Sequence, residues 1–211
     1  IISSDRGLCG SYNSSVLRFA LERIRQIQAE GKTAKLMLVG LKAATFFRSI
    51  KAEKLKSYTL LPAIPTVQEA KLIADQAAEF YMDGTVDAVE IISTDFINML
   101  RSQVANTKFL PVELPPAQDD PGLVPETLFE PSIPAVLELQ LIPKYIENVI
   151  FQCLLDASAS ELAARMNAMS NATTNAQELI QGLTLIYNRA RQASITQELL
   201  EVVAGAEALR G

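Results

Sequence analysis

The C-terminal third of the chain decides the fold, and its centre, residues 155–190, reads LDASASELAARMNAMSNATTNAQELIQGLTLIYNRA. Small or apolar side chains recur along this stretch at spacings that alternate between four and three residues without a break. Such alternation is typical of the contact seam of a coiled coil. The seam consists of Leu155, Ala159, Leu162, Met166, Met169, Thr173, Ala176, Ile180, Leu183, Tyr187 and Ala190, of which only Thr173 is polar.

The residues around the seam predict one very long helix over 144–211. The last proline is Pro143, and only Gly182 and Gly205 interrupt the stretch before the terminal Gly211. At about 1.5 Å per residue such a helix is about 100 Å long. Because its apolar stripe must be buried and no other segment of this sequence is long enough to cover it, we expect a helical partner from outside these 211 residues.

A second interpretation of the same residues is a bundle of two or three ordinary helices. Asn171, Asn175 and Gly182 would then mark the turns. The unbroken seam argues against this interpretation, because a helix-loop-helix break normally shifts the phase of the apolar pattern.

The first part of the chain, residues 1–114, alternates between helical and strand patterns. Gly31 is a plausible helix stop, and Thr66 with Glu69 forms the sequence pattern of a capping box. The alternation predicts a Rossmann-like α/β domain with a mostly parallel sheet. The predicted helices cover residues 11–30, 41–49 and 66–83, and the predicted strands cover residues 35–39, 86–98 and 107–114.

Three regions therefore make up the predicted domain organisation. Residues 1–114 form the α/β domain, residues 115–143 form a proline-rich connector, and residues 144–211 form the long helix. Proline has no backbone N–H to donate and restricts the residue before it, so the connector is predicted to lack regular structure.

The composition excludes several kinds of active site. The chain has no His, two Cys and a formal net charge of −5. Without His there is no Ser-His or Cys-His nucleophile pair and no His-ligated metal. Two cysteines are too few for a disulfide framework or a thiolate zinc site, and the acidic balance argues against a nucleic-acid binder. No uncharged apolar run reaches the roughly 18–20 residues of a membrane-spanning helix.

The loop Asp5-Arg-Gly-Leu-Cys-Gly10 follows a presumed strand and precedes a helix. In doubly wound folds this position often binds phosphate. The dinucleotide and P-loop fingerprints are both absent, so a tight strand-to-helix turn is the favoured interpretation. Cys9 is open to two interpretations, a reactive thiol at a helix N-terminus or a small buried residue, and the second is favoured.

The segment from Tyr187 to Glu198 is unusually rich in directional donors for a helix. One interpretation is a polar surface that faces solvent. The other is a hydrogen-bonding collar that contacts loops of a partner, since Arg and Gln donate well to carbonyls and carboxylates. The residues that follow, 199–209, are apolar on nearly every side, which is typical of a helix end that is surrounded by protein.

These motifs resemble those of the gamma subunit of F-type ATP synthases. The SDRGLCG run at 4–10 with Asn13 resembles the start of that family's Rossmann-like domain, ELAARM at 161–166 resembles the middle of its C-terminal helix, and YNRARQASITQE at 187–198 resembles the gamma signature. The resemblance covers essentially the whole chain and is weakest in the connector.

The resemblance implies a central rotor shaft in which an N-terminal and a C-terminal helix form an antiparallel coiled coil. It implies contacts of Arg191, Gln192 and Thr196 with beta-subunit loops, and of Glu130 with the c-ring side. The implied partners are the alpha, beta and epsilon subunits and the c-ring. The implied subunit is non-catalytic and carries no cofactor. It lies peripherally on a bacterial plasma membrane or thylakoid membrane, on the cytoplasmic or stromal side.

The sequence begins at Ile1 without the helix that would pair with the seam. We therefore expect it to be a fragment that lacks this N-terminal helix. The alternative function is a nucleotide- or small-molecule-binding α/β enzyme with a helical oligomerisation tail, which would need a phosphate-binding loop around Gly7 and Gly10.

Overall fold

The computed structural model describes residues 1–112, 140–209 and 211. The chain divides into two compact units, Ile1–Asn167 and Ala168–Gly211. The helices are α1 (Tyr12–Ala29), α2 (Leu41–Phe46, followed by a 3-10 turn at Phe47–Ser49), α3 (Val67–Met82) and α4 (Ile142–Ala208). The strands are β1 (Lys35–Val39), β2 (Glu53–Tyr58), β3 (Val89–Asn98) and β4 (Arg101–Leu110).

The strands of the first unit form two pairs. β1 and β2 are parallel, whereas β3 and β4 form an antiparallel hairpin. Ile2 lies between the pairs: it forms a parallel bridge with Val39, and its N–H donates to the Ile92 carbonyl at 2.9 Å. The first residues of the chain therefore link the parallel pair to the hairpin.

Two apolar clusters cover the two faces of these strands. Leu36 and Leu38 point into a cluster with α1 and α2, while Val39 points into a cluster with α3 and the first part of α4. The same alternation separates Ile91 from Ile92 on β3. Side chains that alternate between faces are the signature of strands covered by helices on both sides, so the first unit is a three-layer α/β arrangement.

The predicted α/β class is confirmed, and α1, β1 and the capping box of α3 lie where the sequence placed them. Gly31 has a φ of +75°, as a helix stop requires. Two details were wrong. β2 was not predicted, and β4 begins at Arg101 rather than residue 107 and runs antiparallel to β3.

The long helix is also confirmed. α4 runs for 67 residues without a break, so the bundle interpretation with turns at Asn171, Asn175 and Gly182 was wrong. Pro143 lies in the first turn of the helix, where its missing N–H would have no partner anyway. The predicted connector, residues 115–143, falls mostly outside the described residues. The proposed domain limits stay a prediction.

The turn from β1 into α2 depends on a close backbone contact. Gly40 has a φ of +96°, and a Cβ at this position would lie 2.2 Å from the Ser3 carbonyl oxygen. The Ser3 hydroxyl donates to the Val39 carbonyl at 3.1 Å and accepts from the Ala43 N–H at 2.9 Å. Only glycine fits this position, because both the backbone conformation and the space exclude a side chain.

Asp5 binds the loops at this end of the strands together. One carboxylate oxygen accepts from the Leu41 N–H at 2.7 Å, and the other accepts from the Leu61 N–H at 3.1 Å. The first contact satisfies a donor at the N-terminus of α2, where a negative charge is also favourable. A single side chain thus fixes the start of α2 relative to the segment that follows β2.

We predict that Gly40→Ala destabilises the chain by at least ~3 kcal/mol, because it adds a steric clash to an unfavourable φ. Gly84→Ala is the matched control: φ is +68° there, but nothing lies within 4 Å of the added Cβ. The control should cost only ~1–2 kcal/mol. Denaturant unfolding of both variants measures the difference, and equal losses would show that the Ser3 contact does not matter.

Candidate functional site

The first part of α4 is packed against the α/β layers along one stripe. Ile146, Ile150 and Leu154 join the cluster formed by α3 and the sheet, and each is at most 9% exposed. The full buried stripe is Ile146, Ile150, Leu154, Ala157, Ser160 and Ala163. The C-terminal half of this stripe, Ala157, Ser160 and Ala163, consists of small residues, which allow the helix to approach the α/β layers closely.

The seam lies on another side of the same helix segment. Taking about 100° of turn per residue, the seam positions from Leu155 to Met166 point away from the buried stripe, roughly to the opposite side. Leu155 and Ala159 are half-buried at the edges of the layer, whereas Leu162 and Met166 are 53% and 50% exposed. This part of α4 is therefore apolar on two sides, of which one is buried and the other is half-exposed, most clearly at Leu162 and Met166.

The second unit contains the other seven seam residues, Met169, Thr173, Ala176, Ile180, Leu183, Tyr187 and Ala190, and all are exposed. Exposed apolar residues at this regular spacing are typical of a helix without its partner. The polar member Thr173 donates its hydroxyl to the Met169 carbonyl at 2.9 Å. Its hydrogen-bonding need is met within the helix, so it can lie in an apolar contact.

The predicted collar residues also lie in the second unit and are exposed. The Thr196 hydroxyl donates to the Gln192 carbonyl at 2.8 Å. Within the described part of the chain, the side chains of Arg191 and Gln192 form no hydrogen bond or ion pair. Their guanidinium and carboxamide groups are the free polar groups of this set, while the methyl of Thr196 remains available for packing.

The loop before α1 is closed by its own hydrogen bonds. The Asn13 carboxamide accepts from the Ser4 N–H at 3.1 Å and donates to the Arg6 carbonyl at 3.3 Å and the Cys9 sulfur at 3.1 Å. Cys9 is 2% exposed, so the interpretation as a small buried residue is confirmed. Burial raises the pKa of the other thiol, Cys153.

Three polar side chains of α4 bind loops of the first unit. Arg165 donates to the Gly7 carbonyl at 3.3 Å, Ser158 to the Ala63 carbonyl at 2.8 Å, and Asn167 to the Met99 carbonyl at 2.7 Å. These contacts lie along α4 on both edges of its buried stripe. They fix the rotation of this helix segment about its own axis within the first unit.

Glu161 and Arg165, four residues apart on α4, form an ion pair that is only partly exposed to solvent. The two side chains are 21% and 26% exposed, and Arg165 also holds the loop. Burial, with Glu161 as a secondary cause, raises the pKa of the nearby Tyr12 hydroxyl.

The sequence analysis missed the loop-binding roles of Asp5, Ser158 and Asn167. The available signal was the presence of small polar residues beside an apolar stripe, which does not reveal the carbonyl that each one contacts.

Glu130 lies outside the described residues. Within residues 1–112 and 140–209, no cluster of three or more Cys, Asp or Glu side chains could hold a metal ion, and no helix has the length and apolarity to cross a membrane.

Comparison with known proteins gives a consistent result. A family model described as ATP synthase matches residues 1–209. The ATP synthase gamma chain of a Synechococcus strain is 41% identical over 235 aligned residues, which cover 100% of this chain and 74% of the relative. The gamma chain of Moorella thermoacetica is 43% identical over 210 residues, which cover 100% of this chain and 72% of the relative.

Solved structures agree. The central stalk and c-ring structure of the Tetrahymena thermophila mitochondrial ATP synthase matches with a TM-score of 0.62 and 26% identity, over 82% of this chain and 74% of that chain. A Euglena gracilis mitochondrial ATP synthase chain also has a TM-score of 0.62, over 99% of this chain and 71% of that one, and at 19% identity it supports the fold alone. The chain therefore belongs to the family of ATP synthase gamma chains.

Proposed function

We propose that this chain is the central-stalk rotor subunit of an F-type proton-translocating ATP synthase. In this role it couples proton flow through the c-ring to the conformational cycling of the beta catalytic sites. The observation that carries the proposal is the pair of apolar faces on α4, of which one is buried by the α/β layers and the other, the seam, is exposed.

The buried face supports an anchored shaft. A shaft transmits torque only if its base cannot turn within its own domain. Large side chains of the stripe pack into the α3 cluster, and Arg165, Ser158 and Asn167 bind three separate loops. Rotation of α4 about its own axis relative to the α/β layers would break all of these contacts at once. The domain and the base of the helix would therefore turn together.

The exposed seam supports a second helix along the shaft. We propose that the seam from Leu155 to Ala190 forms one side of an antiparallel coiled coil with a helix outside the present sequence. Small and flexible seam residues such as Ala159, Met166 and Ala176 would let the two helices approach closely. A two-stranded shaft resists bending better than a single helix does.

The collar supports contact with the catalytic subunits. We propose that Arg191 and Gln192 donate to loops of the beta subunits and that Thr196 packs beside them. Free guanidinium and carboxamide groups on a helix surface suit repeated contacts with different loops, because their hydrogen bonds can be exchanged without burying an unpaired charge.

The remaining parts of the proposal concern location and partners. The alpha and epsilon subunits and the c-ring complete the set of partners, with Glu130 on the c-ring side. The complex lies peripherally on a plasma or thylakoid membrane, on the cytoplasmic or stromal side. The chain itself is a non-catalytic subunit. Family membership and the closed loop around Asn13 both weigh against the alternative of a nucleotide-binding enzyme with an oligomerisation tail.

We predict that the isolated chain binds neither ATP nor NAD in titration calorimetry, because the loop lacks both nucleotide-binding fingerprints and its Arg6 and Gly7 carbonyls are bound by Asn13 and Arg165. Asn13→Ala opens this loop and serves as a comparison. Saturable ATP or NAD binding by the unmodified chain would contradict the proposal, whereas binding that appears only in Asn13→Ala would show that loop closure excludes the nucleotide.

We predict that Leu183→Glu in the seam strongly lowers the amount of chain recovered with the catalytic subunits from membranes. The substitution places an unpaired carboxylate in an apolar helix contact, which costs several kcal/mol, on the order of 3. Gln181→Glu adds the same charge on the other side of the helix and should assemble normally. If both variants assemble equally well, the seam is not a buried contact.

We predict that Arg191→Ala combined with Gln192→Ala lowers coupled ATP synthesis several-fold in membrane vesicles while assembly is retained. Gln197→Ala is the control, because its amide is already held within the helix by Glu201 at 3.0 Å. Unchanged synthesis in the double variant would refute the role of the collar. Loss of assembly would instead show that Arg191 and Gln192 are needed to form the complex.

A further inference from the structure

Charge is distributed very unevenly along the chain. Residues 11–58 contain ten Lys and Arg but three Asp and Glu, which gives this segment a formal charge of +7. Since the whole chain carries −5, all other residues together carry −12. The positive segment forms α1, β1, α2 and β2, so the helical layer of α1 and α2, together with the parallel strand pair it covers, is strongly basic.

Part of this charge is neutralised locally. The Arg23 guanidinium forms a bidentate ion pair with the Glu90 carboxylate, with 2.8 Å between Nε and Oε2 and 2.7 Å between Nη2 and Oε1. Lys32 pairs with Glu30, and Lys35 lies 3.6 Å from Glu53. The other basic side chains of the segment form no ion pair with any described residue. These side chains are Arg18, Arg25, Lys42, Arg48, Lys51, Lys54 and Lys56.

Two of the unpaired cations border a groove between α1 and α2. The groove has a volume of about 550 Å³. Its apolar part consists of Leu17, Leu21 and Phe46. The Phe46 ring forms an edge-to-face contact with the buried Phe47 ring, with 5.0 Å between the ring centroids, and is still 40% exposed. Arg18 and Lys42 line the same groove and are exposed. An apolar depression with two free cations at its border is therefore a defined feature of this layer.

This groove is separate from the surfaces of the proposed function. α1 and α2 cover the face of the strands opposite to the one that holds α3 and the stripe of α4. Neither the buried stripe nor the seam contributes a residue to the groove. A partner bound here would contact the rotor domain from the side, independently of the coiled coil.

We propose that the groove between α1 and α2 binds an acidic segment of a neighbouring protein subunit, with one large apolar side chain of that segment seated on Leu17, Leu21 and Phe46. Carboxylates on either side of the apolar residue pair with Arg18 and Lys42. The basic layer around the groove attracts such a segment from a distance and orients it.

Charge complementarity favours a short acidic segment over an extended polyanion. A short segment lies wholly within the +7 region. A nucleic acid or an anionic membrane extends beyond it onto the other described residues of the first unit, which carry 11 Asp and Glu against 6 Lys and Arg, a net −5 that repels it. The apolar floor of the groove also favours a projecting side chain, because a flat lipid surface would leave this floor uncovered.

The test uses the full chain and a short fluorescein-labelled peptide of glutamates that contains one leucine and one phenylalanine, with binding followed by anisotropy. Arg18→Ala combined with Lys42→Ala should weaken binding at least ~10-fold, the loss expected for two cooperating charge contacts. Arg25→Ala combined with Lys56→Ala removes the same total charge away from the groove and should change binding less than ~3-fold. Equal losses in the two double variants would overturn the proposal.

Phe46→Ala and a second peptide test the apolar half of the proposal. Phe46→Ala should weaken binding of the peptide that contains leucine and phenylalanine, but not of a peptide in which both are serine. Circular dichroism checks that the variant is folded. Equal binding of the two peptides by the unmodified chain would refute the seated side chain. Binding of phosphatidylglycerol vesicles that is stronger than peptide binding and needs Arg18 and Lys42 would replace the protein partner by a lipid surface.

Discussion

The structure depends most on the burial of one stripe of α4 by the α/β layers. Three large side chains carry most of this contact, Ile146, Ile150 and Leu154. At about 1.5–3 kcal/mol for each fully buried side chain, they contribute roughly 5–9 kcal/mol, which is comparable with the net stability of a whole domain. The stripe therefore anchors a helix that could not be stable alone, and it also decides which side of that helix remains exposed.

The first ten residues perform the complementary task of joining the layers. Ile2 bridges the two strand pairs, Ser3 and Gly40 fix the turn into α2, and Asp5 binds two loops through one carboxylate. The Gly7 carbonyl then accepts from Arg165 on α4. A short, polar stretch thus connects the strands, α2 and the long helix. A segment in the strand-to-helix position where other folds bind phosphate thus serves a structural purpose here.

The parts of the fold that carry a strong apolar period could be predicted from the sequence. The seam, α1, β1 and the capping box of α3 all follow from residue spacing. β2 could not be predicted, because its sequence EKLKSY is rich in lysine and has no apolar alternation. The strand pairs with β1 alone. Its parallel pairing is made by backbone groups, which leave no pattern in the side chains. β4 begins with the exposed polar residues Arg101, Ser102 and Gln103, which give no apolar period. At the site, the residue types were visible, but the carbonyls they bind are 68–158 residues away in sequence.

In the proposed function this chain turns as a shaft inside its complex. The most direct measurement attaches a fluorophore to a cysteine that replaces the exposed Lys56, in the assembled complex immobilised through its catalytic subunits. The native thiols compete little, since Cys9 is buried and burial raises the pKa of Cys153. We expect polarised single-molecule fluorescence to detect stepwise rotation in one direction when ATP is added. A label whose orientation stays fixed while ATP is hydrolysed would contradict it.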